Sequence, residues 1–253
     1  MEQLIYLALV FCFGTCVGSF CGVCMYRLPK SMSITFSRSH CMSCGHSIAW
    51  YDNLPILSCL FLKARCRYCY AYYGYLHLFY EFLFGFMAVI MWLYFDSYIL
   101  ALYGFVLFSI VMVITDIDFR YKIIPDEVLI FGMILAFAML ALSYALNLIW
   151  PVNFYEALAG SIGGFSFLWL VSFLYSVIRG KEGLGFGDVK MMGWIGLHVG
   201  LLGVAKVLFF SSLLGVMMWG FASIVYKLKK DDAIAFGPYL GWAFLTIWLL
   251  MFA

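Results

Sequence analysis

The stretch YILALYGFVLFSIVMVITDIDFRYKIIPDEVLIFGMILAFAML, residues 98–140, decides the fold. An apolar run from Tyr98 to Thr115 gives way to Asp116, Asp118, Arg120 and Lys122, and Pro125 follows. Asp126 and Glu127 then open a second apolar run, 127–149. Each run is long enough to cross a hydrocarbon layer as a helix, which takes about 20 residues. Pro125 forbids one continuous helix through both. The unit is therefore helix, polar hinge, helix, with the ionisable groups gathered at the hinge.

Outward from this stretch the chain has the same character. Of its 253 residues, 66% are hydrophobic, 21% aromatic and only 11% charged, with mean hydropathy +1.02. A soluble domain has about 25% charged residues. A cytosolic enzyme, a disordered chain and a secreted disulfide scaffold are excluded. The hydrophobic share, roughly 167 residues, allows about eight crossings. Eight apolar segments are found, at 4–25, 76–95, 98–115, 127–149, 156–178, 189–204, 205–226 and 237–252. The expectation is an all-α polytopic membrane protein of about eight transmembrane helices. Its parts are a first helix (1–26), a loop (27–75) and a seven-helix core (76–253). The first segment carries Glu2 in place of a basic n-region and has no small-residue cleavage site, so it reads as a retained span rather than a signal peptide.

Lysine and arginine set the orientation. Fourteen of the fifteen fall on one side of an eight-helix path: six from Arg27 to Arg67, Arg120 and Lys122, Arg179, Lys181 and Lys190, and Lys227, Lys229 and Lys230. Lys206 alone falls opposite. That side is the cytoplasm, which places both termini outside it and the long first loop within it. A net charge of +2 gives no reason to expect nucleic acid as a partner; membrane lipids are the expected surroundings.

Nine cysteines cannot all pair within one chain. Cys12, Cys16, Cys21 and Cys24 lie in the first span and read as small hydrophobes. The loop holds Cys41-Met-Ser-Cys44 and Cys66-Arg-Tyr-Cys69, two C-x-x-C knuckles 21 residues apart. Two such turns facing each other make a tetrahedral thiolate site suited to zinc. The loop is too small for a core of its own, so the metal is expected to be structural. His40 and His46 read as exposed neighbours, and Cys59 stands apart.

In a chain this apolar, every acid near a span is a functional candidate. Glu2, Asp96, Glu156, Asp231 and Asp232 lie at helix ends, where water explains them. Glu81 falls inside the second span, where it either pairs with a basic group or caps a neighbouring helix. Two acidic neighbourhoods remain on the cytoplasmic side: Asp116 and Asp118 before Pro125, and Gly183-Leu-Gly-Phe-Gly-Asp-Val-Lys190. In the latter the glycines permit close approach, and Asp188 enters a helix at its N-terminus. Two neighbouring carboxylates share one proton near neutral pH. Such a pair can activate water and polarise a peptide carbonyl; it can also relay protons or ions. From the residues alone, aspartic proteolysis and proton- or metal-coupled transport both stand, with a non-catalytic assembly factor a third reading.

Five blocks carry a resemblance to the type IV prepilin peptidases (leader peptidase/N-methyltransferases), a bacterial family of GxGD membrane aspartic proteases. They are Gly18-Ser-Phe with Tyr26-Arg-Leu-Pro29; the two knuckles enclosing Trp50-Tyr-Asp-Asn-Leu-Pro-Ile-Leu-Ser58; Asp118 seven residues before Pro125; Gly185-Phe-Gly-Asp188-Val-Lys190; and Phe236-Gly-Pro238. The chain departs from the family pattern at Gly22, Cys59, Ala64, His77-Leu-Phe-Tyr-Glu81 and Ala235, but at neither aspartate and at none of the four cysteines. The resemblance implies Asp118 and Asp188 as catalytic residues, with Asp116 a neighbour, and Cys41, Cys44, Cys66 and Cys69 as the family's cysteine tetrad. It implies cleavage of the leader of prepilins or pseudopilins at the cytoplasmic face of the bacterial inner membrane. It also implies methylation of the new N-terminus with S-adenosylmethionine as donor, whose binding residues the sequence does not disclose.

Overall fold

The computed structural model describes residues 2–34, 39–148, 150–181, 183–226 and 235–252. Arg38, Lys227, Lys229 and Lys230 of the basic tally, and Asp231 and Asp232, lie outside the described residues. No strand occurs among those described, only the isolated bridges His40–Ser47 and Arg65–Tyr72. The helices are α1 (Glu2–Arg27), the short α2 (Leu57–Phe61), α3 (Leu76–Tyr94), α4 (Tyr98–Tyr121), α5 (Asp126–Leu146), α6 (Phe154–Arg179), α7 (Phe186–Tyr226) and α8 (Gly237–Leu250). Six of these (all but α2 and α8) are long and apolar enough to cross a membrane, and α8 is a shorter apolar helix. The chain is an all-α polytopic membrane protein.

The hinge read from Pro125 is present: α4 ends at Tyr121, and Pro125 caps α5 with Asp126 and Glu127 in its first turn. The segments expected at 189–204 and 205–226 form the single assigned helix α7, interrupted at Gly200 (φ 65, ψ −177). That conformation is open to glycine almost alone. Counting the two halves of α7, all eight expected segments are helical; the break lies four residues before the expected boundary. Hydropathy runs through Gly200 without a dip, so only the backbone conformation marks it. At the start of α6 Asn153 and Glu156 form a reciprocal capping box, which accounts for Glu156.

The backbone divides into two compact units, residues 1–109 and 110–253, the boundary falling inside α4. In the first, α1 and α3 cross at small residues. A Cβ on Gly14 would lie 2.7 Å from the Phe84 carbonyl oxygen, and one on Gly85 2.8 Å from Thr15 Cγ2. Helices whose surroundings are already apolar associate through such close backbone approach rather than by the hydrophobic effect. Phe84 is fully buried against Phe108, ring centroids 5.3 Å apart. Of the four cysteines of α1, Cys21 and Cys24 are buried and Cys12 and Cys16 lie on its outer face.

Helix α2 begins from Ile56, whose φ of 64° a β-branched residue rarely adopts. Its N–H donates to Glu81 Oε2 on α3 at 2.6 Å. Of the two roles left open for Glu81, the cap is the one it fills. The hydroxyl of Ser19 on α1 also reaches this carboxylate.

In the second unit α6 and α7 meet at Gly160 and Gly196, so closely that a side chain on either would overlap the other's backbone. Gly164 faces Met192 and Val204 in the same seam, and Gly163 faces Leu201. These glycines are helix contacts. Trp194 of α7 packs on Phe244 of α8 (centroids 5.1 Å) and covers Gly132 of α5. Gly196→Ala is expected to cost about 1–3 kcal/mol of stability by overpacking. Gly220→Ala, whose new Cβ meets nothing within 4 Å, is expected to leave stability unchanged or slightly raised. Thermal unfolding of the purified variants in one detergent makes the comparison.

Candidate active site

Three chain segments of the second unit bring the acidic neighbourhoods together. Asp118 lies in the last turn of α4 and Asp188 in the first turn of α7. Both are buried, at 6% and 8% exposure, and the charge of Asp118 acts on Asp188. The turn between α4 and α5 joins them. A Cβ on Gly187 would lie 3.0 Å from Ile124 Cβ, and one on Gly237 3.1 Å from Ile124 Cδ1. Ile124 is thus wedged between the starts of α7 and α8. The glycines of Gly185-Phe-Gly-Asp188 have a steric reason: a Cβ at 185 would come within 3.3 Å of Asp188 Oδ2, and one at 187 would press on the turn.

Asp118 Oδ2 accepts a buried hydrogen bond from the Gly237 N–H at 3.0 Å. Asp188 Oδ1 is buried and accepts none among the described residues; the buried hydroxyl of Thr115, three residues before Asp118, is in the same condition. Buried polar atoms without partners are uncommon and mark places where a water or a ligand is accommodated. Asp116 is turned to a different use. Its Oδ1 pairs with Arg120 at 2.7 Å, one helical turn on. Lys190 Nζ donates to both carboxylate oxygens of Asp126 (2.6 and 2.9 Å) and lies over the Phe186 ring, tying the start of α7 to that of α5. Chemically, the site is a pair of carboxylates in apolar surroundings with open hydrogen-bonding capacity between helix ends.

The four loop cysteines form a second cluster, in the first unit. Their sulfurs lie within 4.8 Å of one another, and Cys41 Sγ and Cys69 Sγ are 3.7 Å apart. Zn–S bonds of about 2.3 Å in a tetrahedron put sulfurs about 3.8 Å apart, so the set fits zinc. The two knuckles repeat one backbone pattern. Cys41 N–H donates to His46 C=O and Gly45 N–H to Cys41 C=O (2.9 and 2.8 Å); Cys66 N–H donates to Ala71 C=O and Tyr70 N–H to Cys66 C=O (3.0 Å each). Gly45 and Tyr70 take the positive φ that each turn demands. The N–H groups of Cys44 and Ser43 hold the Cys41 thiol down at about 6, toward the thiolate a metal binds. For Cys69 the Ala71 N–H also favours the thiolate, but desolvation and the neighbouring sulfurs outweigh it and push it up to about 12.

The knuckles are braced by side chains. His46 of one packs at a tilt against Tyr68 of the other (centroids 3.5 Å), and Asp52 pairs with Arg67 through two short hydrogen bonds. That pairing holds the Asp52 carboxyl below the usual carboxylate range. Neither His40 nor His46 belongs to the sulfur cluster. Cys59, on α2, is buried beside the Tyr73 hydroxyl; burial raises its thiol, and it takes no part in the cluster. What sequence reasoning missed is the donor on Asp118. The Phe236-Gly-Pro238 block was its only signal, and nothing in those three letters pointed toward Asp118.

The comparisons with known proteins agree with this layout. Residues 12–95 match the family model described as Bacterial Peptidase A24 N-terminal domain, and residues 105–220 the one described as Type IV leader peptidase family. Among relatives named prepilin leader peptidase/N-methyltransferase, that of Neisseria gonorrhoeae is 31% identical, the match covering 92% of this chain and 87% of the relative. Those of Aeromonas salmonicida strain A449 and Burkholderia pseudomallei strain 1026b are 28% and 27% identical over 94% and 93% of this chain and 89% and 82% of theirs. No solved structure matches the chain significantly. The matches cover both the cysteine loop and the two aspartates, and at this identity and coverage the chain belongs to the type IV leader peptidase family.

Proposed function

We propose that this protein is a membrane aspartic endopeptidase of the bacterial inner membrane. It cleaves the leader peptide of type IV prepilins or pseudopilins and methylates the new N-terminus with S-adenosylmethionine as donor. The observation that carries the peptidase reading is the buried pair Asp118 and Asp188, converging at helix ends with an unspent acceptor on Asp188. The names of the relatives support the substrate class and the second activity.

Asp118 and Asp188 are the catalytic residues in this reading. The ionised member of the pair takes a proton from a water that attacks the scissile carbonyl, and the protonated member donates to the carbonyl oxygen, with no covalent intermediate. Burial serves this by keeping one proton on the pair at neutral pH. Cys41, Cys44, Cys66 and Cys69 would hold a structural zinc ion, which would staple the module at 27–75 in place of a hydrophobic core. The excess of lysine and arginine supports a topology with this loop and the aspartates at the cytoplasmic face and both termini on the other side.

Three measurements test these assignments. Purified protein with a prepilin is expected to yield mature pilin, and Asp118→Asn and Asp188→Asn are each expected to lower cleavage by at least about 100-fold; retained cleavage in both variants would sink the assignment. Metal analysis is expected to find about one zinc per chain in the wild type and little in Cys41→Ser/Cys44→Ser, where equal contents would remove the zinc site. A Ser97→Cys variant, between α3 and α4, is expected to react with an impermeant thiol reagent from outside the cell, above the wild-type background. Reaction only from the cytoplasm reverses the topology.

A further inference from the structure

The two aspartates are not equivalent, and the difference lies in the main chain around them. Gly237 is the first residue of α8, so its N–H has no acceptor within its own helix. That donor is directed to Asp118 Oδ2 across a buried 3.0 Å contact. A Cβ at 237 would come within 2.9 Å of the same oxygen and press on the carboxylate. Lys122, one turn beyond Asp118, adds a positive charge toward it. Asp188 has the opposite surroundings. Its Oδ1 is buried without a donor among the described residues, and the charge acting on it is that of Asp118. Of the nearby cations, Arg120 is engaged with Asp116 and Lys190 with Asp126. The first turn of α7 favours negative charge at Asp188, but a hydrogen bond aimed at a carboxylate oxygen is the stronger effect.

We propose that Gly237 is a positioning residue whose N–H fixes Asp118 as the ionised member of the pair, leaving the shared proton on Asp188. The proposal rests on the pair being a peptidase dyad and assigns the two roles within it. Asp118 takes a proton from water as the water oxygen bonds to the scissile carbonyl carbon, and Asp188 gives its proton to the carbonyl oxygen. The resulting gem-diol collapses by breaking the C–N bond. Asp118 passes its proton to the leaving nitrogen, and Asp188 recovers one from a diol hydroxyl. One water is consumed and both carboxyls return to their starting states.

Infrared spectroscopy of the full chain in nanodiscs tests the assignment without using activity. At neutral pH the wild type is expected to show a carboxylic-acid C=O band that is lost in Asp188→Asn. Persistence of the band in Asp188→Asn overturns the assignment. The donor is tested in the Asp188→Asn background, where Asp118 is left as the titrating member of the pair. Glycolic acid in place of Gly237, introduced by cell-free translation, replaces the N–H with an ester oxygen and adds no side chain. The Asp118 acid band is then expected to appear about one pH unit higher than with glycine; an unchanged titration overturns the role of Gly237. Were the bands to behave as expected in a protein that cleaves no prepilin, the peptidase reading would fall and the proton assignment would stand.

Discussion

Inside a hydrocarbon layer each backbone N–H and C=O must be satisfied within the protein, so the chain crosses as helices and polar chemistry is confined to their ends. The candidate site obeys this constraint closely. Asp118 occupies the last turn of α4, Asp188 the first turn of α7, Asp126 the first position of α5, and Gly237 the first position of α8. Helix starts are also where main-chain donors are unspent. The same constraint that pushes the carboxylates out of the span interiors therefore supplies the N–H that meets one of them. Pro125 makes the arrangement compact by ending one helix and starting another within a few residues, and the Ile124 side chain before it fills the space between the starts of α7 and α8.

The cysteine loop answers to different physics. It is the longest segment between the candidate spans and has few residues to bury, so its order comes from two matched turns, one tilted ring pair and one ion pair. The turns point four sulfurs inward at a spacing that suits one soft, tetrahedral ion. Glu81 fixes the far edge of the segment by accepting the N–H of Ile56. A buried carboxylate and a residue in a disfavoured conformation thereby offset each other, since each satisfies what the other lacks.

Most of the fold was legible in the letters because apolar run length and proline placement are written there directly. Both C-x-x-C pairs and both aspartates were legible for the same reason: their side chains carry the chemistry. What stayed hidden is carried by the backbone. Four glycines, 193, 196, 200 and 203, lie close together in α7, and nothing in their spacing says that Gly200 adopts positive φ while Gly196 makes the contact with Gly160. Packing against α6 decides that. An N–H group has no letter of its own, so the donor at Gly237 could be found only in three dimensions. Glu81 stood between two roles because the distance from α3 to Ile56 is a tertiary fact.

The glycine seam between α6 and α7 has a thermodynamic consequence. Its surfaces exchange contact with lipid tails for contact with each other, so parting them exposes almost no apolar surface to water. Heat-capacity change on unfolding comes from hydrating such surface, and this seam contributes little to it. Its strength should vary only gently with temperature, without the dome-shaped stability curve of a water-driven core.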